Sequence, residues 1–413
     1  MTSLESLSVL LSIAALSAWI NHRYLKLSSA IGLMSVSLLF SLLLIGLGKL
    51  GYLNIDLVES LVRSFDFEQL LMHGMLAFLL FAGALTIRLS DLSAQRTAVA
   101  LLSTFGVMLS TAISGTLYWL GLGWLGIPIP FIVALLFGAI ISPTDAVAVL
   151  GILRKVGVPK TLETKVVGES LFNDGVGVVV FLAISTLAFG QAVTVADVGE
   201  ALATEVVGGA ILGLGLGYIA FRMLKTVDEY VVELLLTLAL ASGGYALGER
   251  LHVSAPICAV VSGLIIGNQG RALAMTERTR EHLDTFWELI DELLNAILFV
   301  LIGLEILTLT LKTHYVGAGL LAIVAALTSR VISVWLPLTA LSKRQTCRPH
   351  TVKILAWGGL KGGISVALAL SLPLFEFRDL IIVSTYIVVL FSVLIQGSTL
   401  PLLLRRLKFE MAE

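Results

Sequence analysis

Long apolar runs, separated by short polar loops, dominate the pattern of hydrophobic and polar positions along the chain. An α-helix needs about 20 mainly apolar residues to cross a membrane, and on that measure the sequence predicts about thirteen such helices, spans 1 to 13. Their predicted limits are residues 6–22, 29–49, 69–88, 95–121, 128–152, 164–189, 197–223, 230–247, 253–268, 284–309, 315–341, 350–373 and 379–404. The predicted fold class is therefore an all-α integral membrane protein, with one membrane domain over residues 1–413.

The composition agrees with this pattern. Of the 413 residues, 57% are hydrophobic and 13% are charged, whereas a soluble domain carries about 25% charged residues. Most of the surface must therefore meet lipid or another helix, so the lipid bilayer is the first predicted partner. The net charge of −1, without a basic tail, gives no indication of nucleic acid as a partner.

Lysine and arginine residues are unevenly distributed between alternate loops. The loops after spans 1, 3, 5, 7, 9 and 11, together with the C-terminal tail, hold 20 of the 27. Because cytoplasmic loops of membrane proteins are enriched in these residues, the bias predicts an external N-terminus and a cytoplasmic C-terminus. An odd number of spans agrees with this. The predicted location is the cell (inner) membrane.

Two predicted spans contain signals that interrupt a helix. Span 5 contains Pro143, which removes a backbone hydrogen-bond donor in the middle of the membrane, and span 12 has four glycines around Lys361. Interrupted segments in corresponding places of two halves indicate a transporter site near the membrane midplane. We therefore expect spans 4–6 and 11–13 to be inverted repeats, with spans 5 and 12 as two broken helices that cross.

Five ionisable residues lie deep within apolar segments. Each costs roughly 2.5–3.5 kcal/mol at the bilayer centre when it is unpaired. They must therefore pair with one another, meet water or bind a substrate. They are Asp145, Glu169, Asp174, Arg330 and Lys361.

Span 6 places polar groups four residues apart, so that they share one face of a helix. Ser170 and Asp174 form one such pair, and Glu169 and Asn173 form another. A hydroxyl, a carboxylate and the backbone oxygens freed around Thr144 would make an oxygen site, which a hard cation prefers. With one or two carboxylates the site suits a monovalent ion better than calcium, which takes six to eight oxygens.

The charged residues suggest an exchange mechanism. Burial disfavours the charged form of a carboxyl group, so Asp174 can release a proton to accept sodium and take the proton back afterwards. Asp145 and Lys361 are expected mainly to neutralise helix ends in spans 5 and 12, an interpretation that we favour over direct cation ligation by Asp145. Glu169 needs a cationic partner. Arg330 is the first choice, because a guanidinium stays charged when buried, and Lys361 is the second.

Three motifs resemble those of the monovalent cation:proton antiporters of the NhaP/NHE type. They lie at residues 142–147 in span 5, 168–175 in span 6 and 358–365 in span 12. The number and order of the spans agree as well, so the resemblance covers essentially the whole chain. It implies a sodium (or lithium)/proton antiporter without a cofactor, which is a transporter and not an enzyme.

The resemblance also implies roles for individual residues. Asp174 carries the cation and the proton, Asn173 contacts the broken helix, and Glu169 and Arg330 form an internal ion pair. Asn173 in place of a second aspartate is associated with electroneutral one-for-one exchange. The implied sodium site comprises Asp174, Ser170, Thr144 and Asp145.

An architecture follows from the same resemblance. A six-helix transport bundle, residues 95–189 and 315–404, is expected to move in an elevator-like manner. It moves against a scaffold, residues 1–90 and 197–309, which forms a homodimer.

Two positions depart from the family pattern, and two other functions remain open. Lys361 stands where an arginine is common, and Ala82 stands where many members have a glutamate.

Potassium/proton exchange is the nearest alternative function, because no side chain in the sequence distinguishes sodium from potassium. An intramembrane aspartyl protease is a remote one, since Asp145 and Asp174 lie on consecutive spans but Asn173 and the paired cations argue against a carboxylate dyad.

Overall fold

The computed structural model describes residues 3–52, 62, 67–145, 147–190, 195–309, 312–342 and 349–407. Within these ranges the regular elements are helices, and one isolated β-bridge joins Asp145 to Leu360. The first eight helices are α1 (Ser3–Ile20), α2 (Ser29–Lys49), α3 (Phe67–Thr86), α4 (Leu89–Ser103), α5 (Phe105–Trp124), α6 (Phe131–Ile141), α7 (Val147–Val156) and α8 (Lys160–Phe189). The other eight are α9 (Val195–Leu224), α10 (Tyr230–Arg250), α11 (Ala255–Ile265), α12 (Glu277–Glu305), α13 (Thr313–Ser342), α14 (Pro349–Trp357), α15 (Gly363–Leu370) and α16 (Arg378–Arg406).

Eight helical segments of the described chain are long and apolar enough to cross a membrane. They coincide with predicted spans 2, 3, 4, 6, 7, 8, 11 and 13, which confirms a multi-pass, all-helical membrane protein. Spans 1, 5, 9, 10 and 12 do not meet that measure, so the total of thirteen stays a prediction. Spans 5 and 12 fall short because each is divided into two helices of 8 to 11 residues.

Helix α9 shows how one sequence separates a lipid-facing side from a packing side. Its large side chains Ile211 and Tyr218 are exposed, as expected for groups that meet lipid, because extended exposed apolar surface marks membrane contact. On its other side, Gly213 allows close approach to α11: a Cβ there would lie 2.7 Å from the carbonyl oxygen of Cys258. Small residues at helix interfaces permit such packing in membranes.

The helices pack in two neighbourhoods. In the first, α5 packs against α6 and α13, α13 against α16, and α8 against α4 and α6. In the second, α3, α9 and α10 pack against α11, and α12 packs against α2. The two neighbourhoods touch where α8 contacts α11 and where α16 contacts α2.

Two helix ends meet in the first neighbourhood. Helix α6 ends at Ile141, just ahead of Pro143, and α14 ends at Trp357, ahead of the glycine-rich segment. Asp145 donates its backbone N–H to the carbonyl oxygen of Leu360 at 2.7 Å. The two unwound segments are therefore joined directly, although the crossing of spans 5 and 12 stays a prediction.

Candidate ion-binding site

Helix α8 carries four of the predicted site residues on one unbroken stretch. Glu169, Ser170 and Asn173 are buried, and Asp174 is half-buried. The helix lies close to the end of α6, since a Cβ at Gly177 would lie 2.6 Å from Cγ of Pro143. The polar groups of α8 thus meet the unwound segment between α6 and α7.

Thr144, in this unwound segment, is bound to α8 by two hydrogen bonds. Ser170 Oγ donates to the carbonyl oxygen of Thr144, and Asn173 Nδ2 donates to Thr144 Oγ1 at 3.2 Å. The same Asn173 nitrogen donates to Glu169 Oε1 at 3.0 Å. The carbonyl oxygen of Thr144, which the broken helix leaves without a backbone donor among the described residues, therefore accepts from a side chain. These hydrogen bonds bring oxygen atoms of Ser170, Thr144 and Glu169 together.

Glu169 and Arg330 form a two-pronged ion pair in the interior. Nη1 of Arg330 lies 2.7 Å from Oε1 of Glu169, and Nη2 lies 2.8 Å from Oε2. Nε of Arg330 also donates to the carbonyl oxygen of Leu355, near the end of α14, at 3.3 Å. Of the two cations considered for Glu169, Arg330 is its partner. Removal of one partner from such a buried pair would leave an uncompensated charge.

Lys361 binds the end of a different helix from the one expected. Its Nζ donates to the carbonyl oxygens of Ser142 at 3.1 Å and Pro143 at 3.2 Å, which follow the last turn of α6. A cation stabilises this negative end of a helix. The sequence placed that role within span 12, whereas the structure places it on span 5, because the two breaks lie side by side.

Asp145 lies near the start of two helices. It precedes α7, and its carboxylate faces Gly362, which precedes α15: a Cβ at Gly362 would lie 2.5 Å from Oδ2 of Asp145. An anion is favourable at the positive N-terminal end of a helix. The position is thus compatible with the electrostatic role expected for Asp145 and extends it to span 12.

Asp174 differs from the other charged residues of the candidate site. Its Oδ1 is buried and has no hydrogen-bond partner in the described part of the chain. Asp145, Glu169 and Lys361 lie close enough to interact with it electrostatically. Because Arg330 holds Glu169 and two carbonyls hold Lys361, the oxygen of Asp174 is available for a proton or a cation.

Two polar residues that were not singled out from the sequence lie beside the site. Ser392 accepts a hydrogen bond from the backbone N–H of Lys361 at 2.8 Å, and Gln396 Nε2 donates to the carbonyl oxygen of Trp357 at 3.3 Å. Both belong to a π-helical turn, Ser392–Gln396, within α16. Two polar side chains four residues apart in an apolar span were the signal that could have identified them.

A helical membrane protein with two interrupted helices joined beside a buried carboxylate belongs to the class of secondary transporters. The family model described as "Sodium/hydrogen exchanger, transmembrane" matches residues 11–406. The chain therefore belongs to the sodium/hydrogen exchanger family, as its motifs predicted. The relatives are antiporters, and this chain is accordingly a transporter rather than an enzyme, so the protease hypothesis is discarded.

Similar proteins include bacterial antiporters that align over nearly the whole chain. The Na(+)/H(+) antiporter NhaP of Pseudomonas aeruginosa is 47% identical over 410 residues, which cover 98% of this chain and 97% of that protein. NhaH of Halobacillus dabanensis, also a Na(+)/H(+) antiporter, is 34% identical over 382 residues, covering 90% and 91%. The solved structure of the sodium proton antiporter MjNhaP1 from Methanocaldococcus jannaschii at pH 8 has the same fold, with a TM-score of 0.77, 22% identity and 98% of both chains covered.

Proposed function

We propose that this chain exchanges sodium for protons across the cell membrane, and that the two ions compete for Asp174. The observation that carries the proposal is Oδ1 of Asp174, buried and without a partner among the described residues. A buried polar atom without a hydrogen bond is unfavourable, and either a proton or a cation would relieve that cost. The names of the relatives, Na(+)/H(+) antiporters, support the same reaction.

We place the transported cation between α8 and the unwound segment that follows α6. Asp174 supplies the charge, and Ser170, Thr144 and Asp145 supply further oxygen atoms, the ligands that hard cations prefer. The hydrogen bond from Asn173 to Thr144 fixes one of these oxygens without adding a charge. Glu169, Arg330 and Lys361 then compensate charge around the site instead of binding the ion.

A one-to-one exchange ratio follows from this assignment. Arg330 occupies both carboxylate oxygens of Glu169, and Asn173 cannot ionise. We therefore assign the exchangeable charge to Asp174, which binds either one proton or one monovalent cation. A carrier that crosses in either neutral form moves no net charge, so the exchange is electroneutral.

Sodium is the cation that the relatives support, and lithium is the second substrate that we propose. Lithium is also a small, hard monovalent cation, and oxygen ligands suit both ions. Potassium exchange is not favoured, since the similar antiporters carry sodium in their names.

We further propose an elevator-like movement of one helix group against the other. The helices α4–α8 and α13–α16 form the transport bundle, and α1–α3 and α9–α12 form the scaffold and the homodimer contact. The two packing neighbourhoods support this division. The bridge from Asp145 to Leu360 supports the crossing of spans 5 and 12 inside the bundle. The charge bias of the loops supports an external N-terminus.

The proposal can be tested with purified protein in liposomes that have an acidic interior and report the proton gradient through a pH-sensitive dye. Sodium and lithium are expected to dissipate the gradient, and potassium at equal concentration is expected to dissipate it far less. Failure of all three cations to dissipate the gradient would overturn the antiporter proposal. Dissipation by potassium alone would overturn the assignment to sodium.

A further inference from the structure

We propose that Ser392 and Gln396 are positioning residues that hold the broken span 12 in the geometry needed for ion binding. Ser392 and Gln396 together form the α16 clamp. This inference rests on the proposed function, because the groups that the clamp positions, Lys361 and Asp145, belong to the proposed site.

The clamp is a continuous series of hydrogen bonds across the break between α14 and α15. Gln396 Nε2 donates to the carbonyl oxygen of Trp357, at the end of α14, at 3.3 Å. Ser392 Oγ donates to Gln396 Oε1 at 2.8 Å. The backbone N–H of Lys361, inside the break, donates to Ser392 Oγ at 2.8 Å. One side chain thus holds the near side of the break, and the other holds its interior.

Each bond of the clamp sets the direction of the next. A serine hydroxyl has one donor hydrogen and two lone pairs. Because Ser392 donates its hydroxyl hydrogen to Gln396, a lone pair of the same oxygen can accept the backbone N–H of Lys361. Both residues are buried, with exposures of 0% and 3%, so water cannot easily replace them. The π-helical turn from Ser392 to Gln396 lies at this point of α16, and π turns inside helices are frequent at functional sites.

The clamp is connected to the proposed ion site through Leu360 and Lys361, the segment that it holds in place. Leu360 accepts the backbone N–H of Asp145 at 2.7 Å. Lys361 donates through Nζ to the carbonyl oxygens that follow α6, at 3.1 and 3.2 Å. A displacement of the Leu360–Lys361 segment would therefore move a carboxylate and an ammonium beside Asp174 together, although neither clamp residue is among the proposed cation ligands.

A second anchor supports the clamp but does not bridge the break. Trp357 Nε1 donates to Thr399 Oγ1 at 3.0 Å, which ties the indole ring to the same helix, α16. Loss of the clamp therefore leaves α14 attached to α16, and the loss is expected to act mainly on the segment that carries Lys361.

The test compares Ser392→Ala and Gln396→Met with a matched control on the same helix. Ser384 is also fully buried and also makes a side-chain hydrogen bond, to Tyr118 at 2.7 Å, away from the break. The clamp variants are expected to raise the apparent KM for sodium about tenfold, the effect of one lost hydrogen bond of ordinary strength. Ser384→Ala is expected to keep the wild-type KM, even where it lowers the thermal unfolding temperature equally.

The pH dependence of exchange separates a positioning role from a structural one. The Lys361 ammonium favours the charged form of the nearby carboxylate, and a displaced ammonium favours it less. Asp145 and Glu169 also face Asp174, and Asp145 moves with the same segment and acts in the opposite sense, so the pH profile of the clamp variants is expected to shift relative to that of the wild type. Thr at position 392 retains the hydroxyl, so Ser392→Thr is expected to restore both the KM and the profile.

A double-variant cycle provides the sharpest outcome. Because both residues act through one series of bonds, Ser392→Ala with Gln396→Met is expected to raise the KM no more than either single change, whereas independent sites add. Wild-type KM and pH profile in both single variants would overturn the positioning role. Additive effects of the two changes would also overturn it.

Absence of exchange in the wild-type protein would instead overturn the proposed function. Sodium-induced thermal stabilisation of the protein measures sodium binding independently of transport.

Discussion

Glu169 and Asp174 are both carboxylates of α8, five residues apart, yet their surroundings assign them different tasks. Arg330 binds both oxygens of Glu169, whereas Oδ1 of Asp174 lacks a partner within the described ranges. The difference arises from α13, which brings Arg330 to one carboxylate and not to the other. The sequence predicted this division, with Arg330 as the first choice of partner for Glu169, and the structure shows that pair.

Asp174→Asn is expected to abolish cation-dependent proton movement, because an amide cannot exchange a proton for a cation. The measurement is dye-reported exchange in liposomes. The exposed Asp379, at the start of α16, provides the control Asp379→Asn, which is expected to retain exchange. Full activity in Asp174→Asn would remove this residue from the mechanism.

The ion pair of Glu169 and Arg330 is expected to matter first for stability. Arg330→Gln leaves a buried carboxylate without its cation, which typically costs about 3–5 kcal/mol. Its thermal unfolding in detergent, followed by tryptophan fluorescence, is expected at a clearly lower temperature than that of the wild type. Arg405→Gln changes an exposed arginine and is expected to have little effect. Equal unfolding temperatures for the two variants would contradict a buried, energetically important pair.

Residue-level inference from the sequence was most successful where the chemistry is local. Ser170 and Thr144 were predicted to lie together because the helix face and the helix break are visible in the sequence. The contact of Asn173 with the broken helix was implied by the family resemblance, and the structure joins all three residues by hydrogen bonds. The prediction that Lys361 neutralises a helix end in span 12 was wrong, because the carbonyls that Lys361 binds are more than 200 positions away in the chain. Ser392 was missed for the same reason, since its partner is a distant backbone N–H.

At the scale of the elements, the break in span 12 depends on glycines that leave no room for a side chain. A Cβ at Gly359 would overlap the guanidinium of Arg330, and one at Gly362 would lie against the carboxylate of Asp145. The glycines are therefore needed because charged groups from other helices occupy the space beside them. Their number in the sequence indicated an interruption, but not which groups would approach.

Gly362→Ala is expected to reduce exchange by about tenfold or more, since overpacking of a tight site typically costs about 1–3 kcal/mol. The added methyl group would displace the carboxylate of Asp145 or the start of α15. Gly151 lies on α7, the other half of span 5, with open space where a Cβ would stand. Gly151→Ala is therefore the control and is expected to exchange normally. Equal activity of the two variants would contradict the close approach at Gly362.

At the scale of the whole molecule, the packing of helices separates a group that contains the site from a group that does not. Rigid-body movement of one group against the other would carry the site across the membrane without dismantling its hydrogen bonds. The contacts between α2 and α16 lie between these groups and would have to change during such a movement.

A disulfide between the two groups is expected to stop exchange reversibly. A Cβ at Gly397 of α16 would lie 3.1 Å from the Ile31 side chain of α2, so Gly397→Cys with Ile31→Cys is the test pair in a background lacking Cys258 and Cys347. Ser17→Cys with Ser37→Cys is the control, since their hydroxyl oxygens lie 3.5 Å apart within the scaffold. Oxidation is expected to block exchange in the first pair alone, and reduction is expected to restore it. Unimpaired exchange in the crosslinked first pair would rule out this movement.

The exchange ratio can be tested on the intact protein. With one exchangeable charge, at Asp174, the rate of sodium-driven proton movement is expected to be independent of membrane potential. The measurement sets defined potentials across the liposome membrane with a potassium gradient and valinomycin. A rate that changes with the sign of the potential would show net charge movement and contradict the one-to-one ratio.

The sequence alone determined that the chain is a helical membrane protein with two interrupted spans and buried charges. Those properties depend on local features: the length of apolar runs, a proline, clustered glycines, and the cost of isolated charges in lipid. The tertiary structure decided between Arg330 and Lys361 as the partner of Glu169, and it alone decided which groups Lys361 binds. The environment of Asp174, whose Oδ1 has no partner among the described residues, also depends on contacts between distant helices, and no sequence spacing specifies those distances.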